Sequence, residues 1–486
     1  MLFNSYIFIL LFLPLCLAGY FGLNRLRDRR VAMVFLLGMS LWFYGYFNPW
    51  YLPIMIFSIA GNFLAVKLMD RTRGSLRKGI LMAALLGNLA VLFYYKYFDF
   101  FLENVNALCG TGIPLRGIVL PLGISFFTFQ QMSYVIDAYR GEVSQYGLLH
   151  YASFVSYFPQ LVAGPIVTHD ELIPQLLDDG KKRFDWNWFS PGLFIFAMGL
   201  GKKVLIADLF SQAANWGFDN IGQLDSTNAI LAVLAYTLQV YFDFSGYCDM
   251  AIGLGRMMNL ELPVNFDSPY KACTITEFWD RWHKTLTRFF TRYIYIPLGG
   301  SRCGKWKTYR NVLIVFLVSG IWHGANWTFI LWGCLHGVFS VLTRHCKPFI
   351  DRLPRWFNWL VTFVFLNLTW IFFRADSIGD GMLMLQRIFS MEFGPISESV
   401  QEVFNIVEVT TVAQWFFDID IASMCPNVMT VLIYAAAMVL VLFAPNAHEK
   451  MRTLRYNFLE LAATVAVLVW SIMSLEGVST FLYFNF

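Results

Sequence analysis

The chain has 486 residues, of which 57% are hydrophobic and 14% charged, with a net charge of +4. A mean hydropathy of +0.54 excludes a water-soluble globular domain. The basic residues lie between apolar runs and form no stripe, which excludes a nucleic-acid-binding surface.

The pattern that remains is an all-α polytopic integral membrane protein, a single membrane domain over 1–486. Its 49 Phe, 16 Trp and 23 Tyr suit many helix ends at lipid interfaces. Eight scattered cysteines with no CxxC pair argue against a disulfide framework and against a metal site. Residues 6–23 read as an uncleaved first span. Cys16 follows Leu-Pro-Leu, as at a lipoprotein cleavage site, but no Lys or Arg precedes it.

Further apolar runs follow at 31–47, 51–69, 80–98, 118–138, 151–167, 192–206, 229–242, 357–373, 428–443 and 459–473, with a paired segment around His323. About a dozen crossings are expected, the shorter runs being re-entrant or buried in protein. Arg25, Arg27, Arg29 and Arg30 follow the first run, and Arg71, Arg73, Arg77 and Lys78 the third. Positive loops favour the cytoplasm, which sets the N-terminus outside. The stretch 375–427 is rich in acid (Asp376, Asp380, Glu392, Glu398, Glu402, Glu408, Asp418, Asp420) and reads as external, or as an ordinary solvated loop.

Residues 240–255, VYFDFSGYCDMAIGLG, set Asp243, Ser245 and Asp249 among apolar neighbours. Buried carboxylates need partners. A hydrogen-bond network that pins the core is the simpler role for them, and direct catalysis the other. Residues 274–297, TITEFWDRWHKTLTRFFTRYIYIP, predict an amphipathic helix on the cytoplasmic membrane surface. Thr274 and Glu277 have capping-box spacing, and Phe278, Trp282, Leu286, Phe289 and Tyr293 recur at helical intervals. The helix is either a plain interfacial anchor or, through His283 beside its apolar stripe, part of a site. The LVAGP at 161–165 and IPLGG at 296–300 read as turns near the membrane surface.

The 33 residues 311–343 contain no Asp, Glu, Lys or Arg. Unbroken, they would form a helix about 50 Å long, against a hydrocarbon core of about 30 Å. A break is expected at His323-Gly324-Ala325-Asn326. Arg302, Lys305, Lys307 and Arg310 precede the segment and Arg344, Lys347, Arg352 and Arg355 follow it, so it enters and returns on the cytoplasmic side. His323 then sits at a turn deep in the membrane. It either satisfies backbone groups at the break or acts as a general base, since a neutral imidazole can take a proton from an attacking hydroxyl. Trp322, Trp327 and Trp332 would wall the site from water. His336 lies thirteen residues on, about 20 Å away if the helix is unbroken, and reads as structural or as lining an access channel. His283 is the better partner for His323.

TEFWDRWHKTL (276–286), YIYIPLGGSR (293–302), SGIWHGANWTFILWGCLHG (319–337), YFDFSGYCDMAIGLG (241–255), LPLGISFFTFQQMSYVIDAYRG (120–141) and LVAGPI (161–166) together resemble the membrane-bound O-acyltransferase family, in the alginate O-acetyltransferase branch. The likeness runs over nearly the whole chain, to the aromatic end FLYFNF. It implies a ring of tilted transmembrane helices around a catalytic tunnel, with re-entrant and interfacial helices, in a bacterial inner membrane. It implies transfer of an acyl group, acetyl by expectation, from a cytoplasmic thioester such as acetyl-CoA to an exported polysaccharide. No cofactor would be held permanently, and a separate extracytoplasmic acetyltransferase would complete the transfer.

His323 matches the family's catalytic histidine. His283, forty residues earlier, falls where relatives carry a second active-site residue, often Asn or Asp. His336, Asn326, Trp322, Asp243 and Ser245 are expected near the tunnel, as substrate contacts or as structure. Arg281, Lys284 and Arg288 are expected to meet donor phosphates at its mouth. One departure is FTRYIYIPLGG, where Arg292 replaces the family's acid. D-alanyl transfer to teichoic acid and peptidoglycan O-acetylation are the rival activities within this fold. A secondary transporter is the rival outside it, since broken helices with midplane polar groups occur there too.

Overall fold

The computed structural model describes residues 1–26, 28, 30–143, 146–406, 410–411, 414–415, 426–455, 457–475 and 481–482. Arg27, Arg29, Glu408, Asp418, Asp420, Cys425 and the last four residues of the aromatic end lie outside the described residues. Described secondary structure is helical, with no strand. The seven described cysteines are free thiols.

Internal contacts group the chain into two compact units. The first comprises Met1–Leu200, Tyr247–Asn265 and Met451–Phe486, the second Gly201–Gly246 and Phe266–Lys450. Among the described residues, four helices are long and apolar enough to cross a bilayer: Pro49–Arg71, Gly74–Cys109, Ser226–Met257 and Arg355–Arg374. Four shorter apolar helices accompany them: Phe8–Leu23, Arg30–Gly45, Asn427–Phe443 and Phe458–Met473.

Some of the other apolar runs are buried in protein, as expected of the shorter ones. The apolar run at 151–167 divides at Tyr157 into the helices Leu148–Ser156 and Phe158–Leu161, and every residue of it is buried. The run at 118–138 starts its helix only at Ile124, after the left-handed Gly123. Hydrophobicity in these runs fills protein rather than facing lipid. Gly74–Cys109 shows the opposite case: its most apolar window is 11% buried, against 83% for Ser226–Met257.

The first unit is joined by polar contacts between apolar helices. Asn62 Nδ2 donates to Asn88 Oδ1 (3.1 Å) and Gln131 Oε1 (3.0 Å), Gln131 Nε2 donates to Ser58 Oγ (2.9 Å), and the Tyr151 hydroxyl donates to Gln131 Oε1 (3.3 Å). Away from water such amides find partners across helices, which fixes register where apolar packing alone would allow sliding.

The second unit contains the segment around His323, and the expected break is there. One arm runs Lys305–His323, Gly324 is extended, and a second arm runs Trp327–His345. Asn326 caps the second arm, its side-chain oxygen accepting from Thr328 N at 3.0 Å, while its Nδ2 donates to the Asp376 carbonyl at 2.8 Å. Each arm has 19 residues, about 28 Å of helix. That length carries the turn well past the half-depth of a re-entrant loop.

The arms pack backbone to backbone through glycine. A Cβ at Gly333 would lie 2.5 Å from the Phe316 carbonyl oxygen and 3.0 Å from Gly320 Cα, and one at Gly320 would strike the Phe329 carbonyl oxygen. Small residues at such a crossing give helices in lipid their van der Waals contact. Gly333→Val should therefore cost about 1–3 kcal/mol by overpacking, read as a lower thermal midpoint in detergent. Gly87→Ala, with open space around Gly87, should leave that midpoint unchanged or raise it.

Candidate active site

His323 is the last residue of the first arm and is 3% exposed. Aromatic rings surround its imidazole: Trp322 at 4.9 Å between centroids, Trp332 at 5.1 Å and Phe373 at 5.2 Å. Trp322 and Trp332 form part of the wall expected from the sequence. Trp327 stands at the start of the second arm and is 53% exposed.

The single amphipathic helix expected over 274–297 is corrected. It breaks into Ile275–Arg281 and Lys284–Phe290, and then a wider turn at Thr291–Tyr295. The break falls on Trp282 and His283. His283 is fully buried and adopts a left-handed backbone, φ 45° and ψ 50°. Asn and Asp tolerate that conformation best among residues with a Cβ. The imidazole packs edge-on against Phe244 at 4.8 Å and lies 6.2 Å from Trp322. Trp322 is thus the ring that His283 and His323 share.

His336 has a different setting. Trp279 Nε1 donates to His336 Nδ1 at 3.3 Å, His336 Nε2 lies 3.0 Å from Thr369 Oγ1, and Thr369 Oγ1 donates to the Leu366 carbonyl at 3.0 Å. An indole N–H only donates, so Nδ1 must accept, which leaves the proton on Nε2 and passes it to a hydroxyl whose own proton is already engaged. His336 is a neutral imidazole held in one tautomer. The 20 Å separation from His323 supposed an unbroken helix, and the structure breaks it. The Trp332 ring contacts both imidazoles, at 5.1 Å and 4.7 Å.

A cavity of about 260 Å³ opens between the arms and the two short helices. Thr276, Trp279 and Asp280 line it from one side, Thr287 and Phe290 from another, and Phe316, Ser319, Ser340 and Arg344 from the arms. Arg344 belongs to the basic-flanked end of the hairpin. Ser319 lies one helical turn before His323. Partial burial lifts the Asp280 carboxyl above the ordinary carboxylate range, with Arg344 pulling the other way.

Arg281, Lys284 and Arg288, expected at the mouth, do not line this cavity. Arg281 pairs with Glu277 at 3.0 Å, and Lys284 faces Asp267 at 3.8 Å. Asn326 is engaged as a helix cap. Asp243 is an ion-pair partner: Lys203 Nζ lies 2.6 Å from it and 2.8 Å from Asp208, with Lys203 and Asp243 both buried. Ser245, also buried, has no hydrogen-bond partner among the described residues. The sequence reading missed Lys203, Trp279 and Thr369. Trp279 lies within the TEFWDRWHKTL motif, but the partners that give these residues their roles, Asp243 for Lys203 and His336 for both Trp279 and Thr369, are more than thirty positions away in the chain.

The sequence model of the membrane-bound O-acyltransferase family matches residues 36–378. The chain belongs to this family. It is 42% identical over 417 residues to a peptidoglycan O-acetyltransferase of Helicobacter pylori, covering 79% of each chain. A probable alginate O-acetylase, AlgI, of Pseudomonas putida is 37% identical over 422 residues, covering 85% of each. The teichoic acid D-alanyltransferase of Bacillus subtilis is 24% identical over 255 residues, or 51% of this chain and 64% of its own length. The protein is thus a membrane O-acyltransferase, and the transporter reading falls away.

In this acyltransferase the left-handed backbone at position 283 restricts what can stand there. His283→Asn should fold as the wild type does. His283→Val should cost roughly 1–3 kcal/mol, because a β-branched side chain resists that conformation. Thermal midpoints in detergent check both.

Proposed function

We propose that the protein transfers an acetyl group from a cytoplasmic acyl thioester, such as acetyl-CoA, for O-acetylation of an extracytoplasmic polysaccharide, with His323 as general base. The observation that carries this is a cavity lined both by Arg344, at the basic-flanked end of the hairpin, and by Ser319, one turn before a histidine enclosed by aromatic rings. Basic residues flank both arms at the cavity end, which favours the cytoplasm for the donor side.

The chemistry follows from the imidazole. His323 takes the proton of the attacking hydroxyl while its oxygen bonds to the thioester carbonyl carbon. The carbon–sulfur bond breaks, and the departing thiolate recovers the proton from the imidazolium. His283, which reaches the same indole, assists by orienting the attacking group. Enclosure in aromatic rings keeps water from competing for the acyl group. A separate extracytoplasmic acetyltransferase takes over the group where transfer to the polymer is relayed rather than direct. The higher identity to the peptidoglycan enzyme than to the alginate one favours peptidoglycan as the polymer.

His323→Ala should abolish acetate on the exported polymer, measured by mass analysis of cell-surface glycans, in a protein that still inserts. Retained acetylation would end the catalytic role. Arg344→Gln should raise KM for the thioester about tenfold by loss of a charge-assisted contact, with kcat preserved, while Lys284→Gln leaves donor KM unchanged. Steady-state thiol release from the purified enzyme measures each.

A further inference from the structure

We propose that Asp267 is a positioning residue for the reaction, clamping both sides of the helix break that presents His283. The inference rests on the acetyl transfer proposed above and concerns how its site is held.

His283 is one of four described non-glycine residues with positive φ, the others being Asn259, Ser268 and Met391. A side chain stays in that conformation only where its surroundings over-determine it. Asp267 supplies much of that constraint. Its N–H donates to the Arg281 carbonyl at 2.9 Å, and its own carbonyl accepts from Arg281 Nη1 at 3.2 Å. One carboxylate oxygen lies 3.8 Å from Lys284 Nζ. Asp267 therefore holds the residue two positions before His283 and the residue immediately after it.

The clamp is itself held. Asn446 Nδ2 donates to the other carboxylate oxygen at 3.1 Å and to Ser268 Oγ at 3.2 Å. Phe266, the preceding residue, packs edge-on against Trp282 at 5.0 Å and against Phe244 at 4.9 Å. The strip Phe266–Asp267–Ser268 thus wraps the break, with its ring on the aromatic side and its carboxylate on the cationic side. Lys284 and the carboxylate are both about 40% exposed, so their ion pair alone is weak. The two bonds to Arg281 are made by the Asp267 backbone and persist whatever side chain stands there. The carboxylate adds the bond from Asn446 and the contact to Lys284, and an amide oxygen can keep the first of these. The arrangement also explains why Arg281 and Lys284 stand away from the cavity: both serve the break.

The test uses full-length protein in lipid nanodiscs with acetyl-CoA, following thiol release and the thermal midpoint. Asp267→Ala, which keeps the backbone bonds to Arg281 and loses the contacts to Lys284 and Asn446, should lower kcat about tenfold, short of the roughly 100-fold that a full misplacement by about 1 Å can cost, with donor KM and midpoint close to wild type. Asp267→Asn should restore most of the lost rate. Asn446→Ala should give an intermediate kcat, and the double alanine variant should be no slower than Asp267→Ala, because both act through one clamp. Wild-type kcat in Asp267→Ala overturns the proposal, as does a loss expressed in KM. If Asp267→Ala does not insert, Asn446→Ala decides, and wild-type kcat there overturns it. A wild-type protein that releases no thiol overturns the acetyl-transfer reading itself and this inference with it.

Discussion

Gly320 and Gly333 bring two helix backbones so close that no side chain fits between them, and the position of His323 depends on that contact. A helix pair held by backbone contact has little freedom to slide. Its last turn, its break and the first turn of the return arm become one rigid corner. The Asn326 cap fastens the corner to the backbone of Asp376, just beyond the helix that carries Phe373. The imidazole at the end of the first arm inherits this rigidity, and so do the rings packed on it.

Three histidines occupy this aromatic region, and their surroundings separate them. His336 has both nitrogens engaged and its tautomer set by an indole and a threonine. A ring so held supports its neighbours and offers no lone pair to a substrate. His283 stands on a strained backbone kept by residues around it. His323 sits at a helix end rather than inside one, a turn beyond Ser319 of the cavity wall. The Trp332 ring lies against both His323 and His336 and keeps the supporting imidazole apart from the reactive one.

The hairpin was legible in the sequence because His323, Gly324 and Asn326 interrupt an otherwise uncharged run too long for one span. The family was legible because several uncommon motifs occur in one chain. The break at Trp282 and His283 was not, since neither residue is a glycine or proline and the apolar stripe continues in register through it. Hydropathy alone did not separate 118–138 and 151–167 from lipid-facing spans. A residue bound for a protein core and one bound for lipid are equally apolar, and only packing tells them apart. The partners of Asp243 and His336 lay beyond reach for another reason, as pairing across distant segments leaves no local pattern.

The buried pair of Lys203 and Asp243 bears on how the chain is made. A lone carboxylate in an apolar helix resists entering the bilayer. Lys203 precedes it by forty residues, so the ammonium is synthesised before the helix Ser226–Met257 that carries the acid. Neutralisation can then accompany insertion. Reversing the order of these two segments would leave the acid without its counter-charge at the moment of integration, even though the finished fold would contain the same contact.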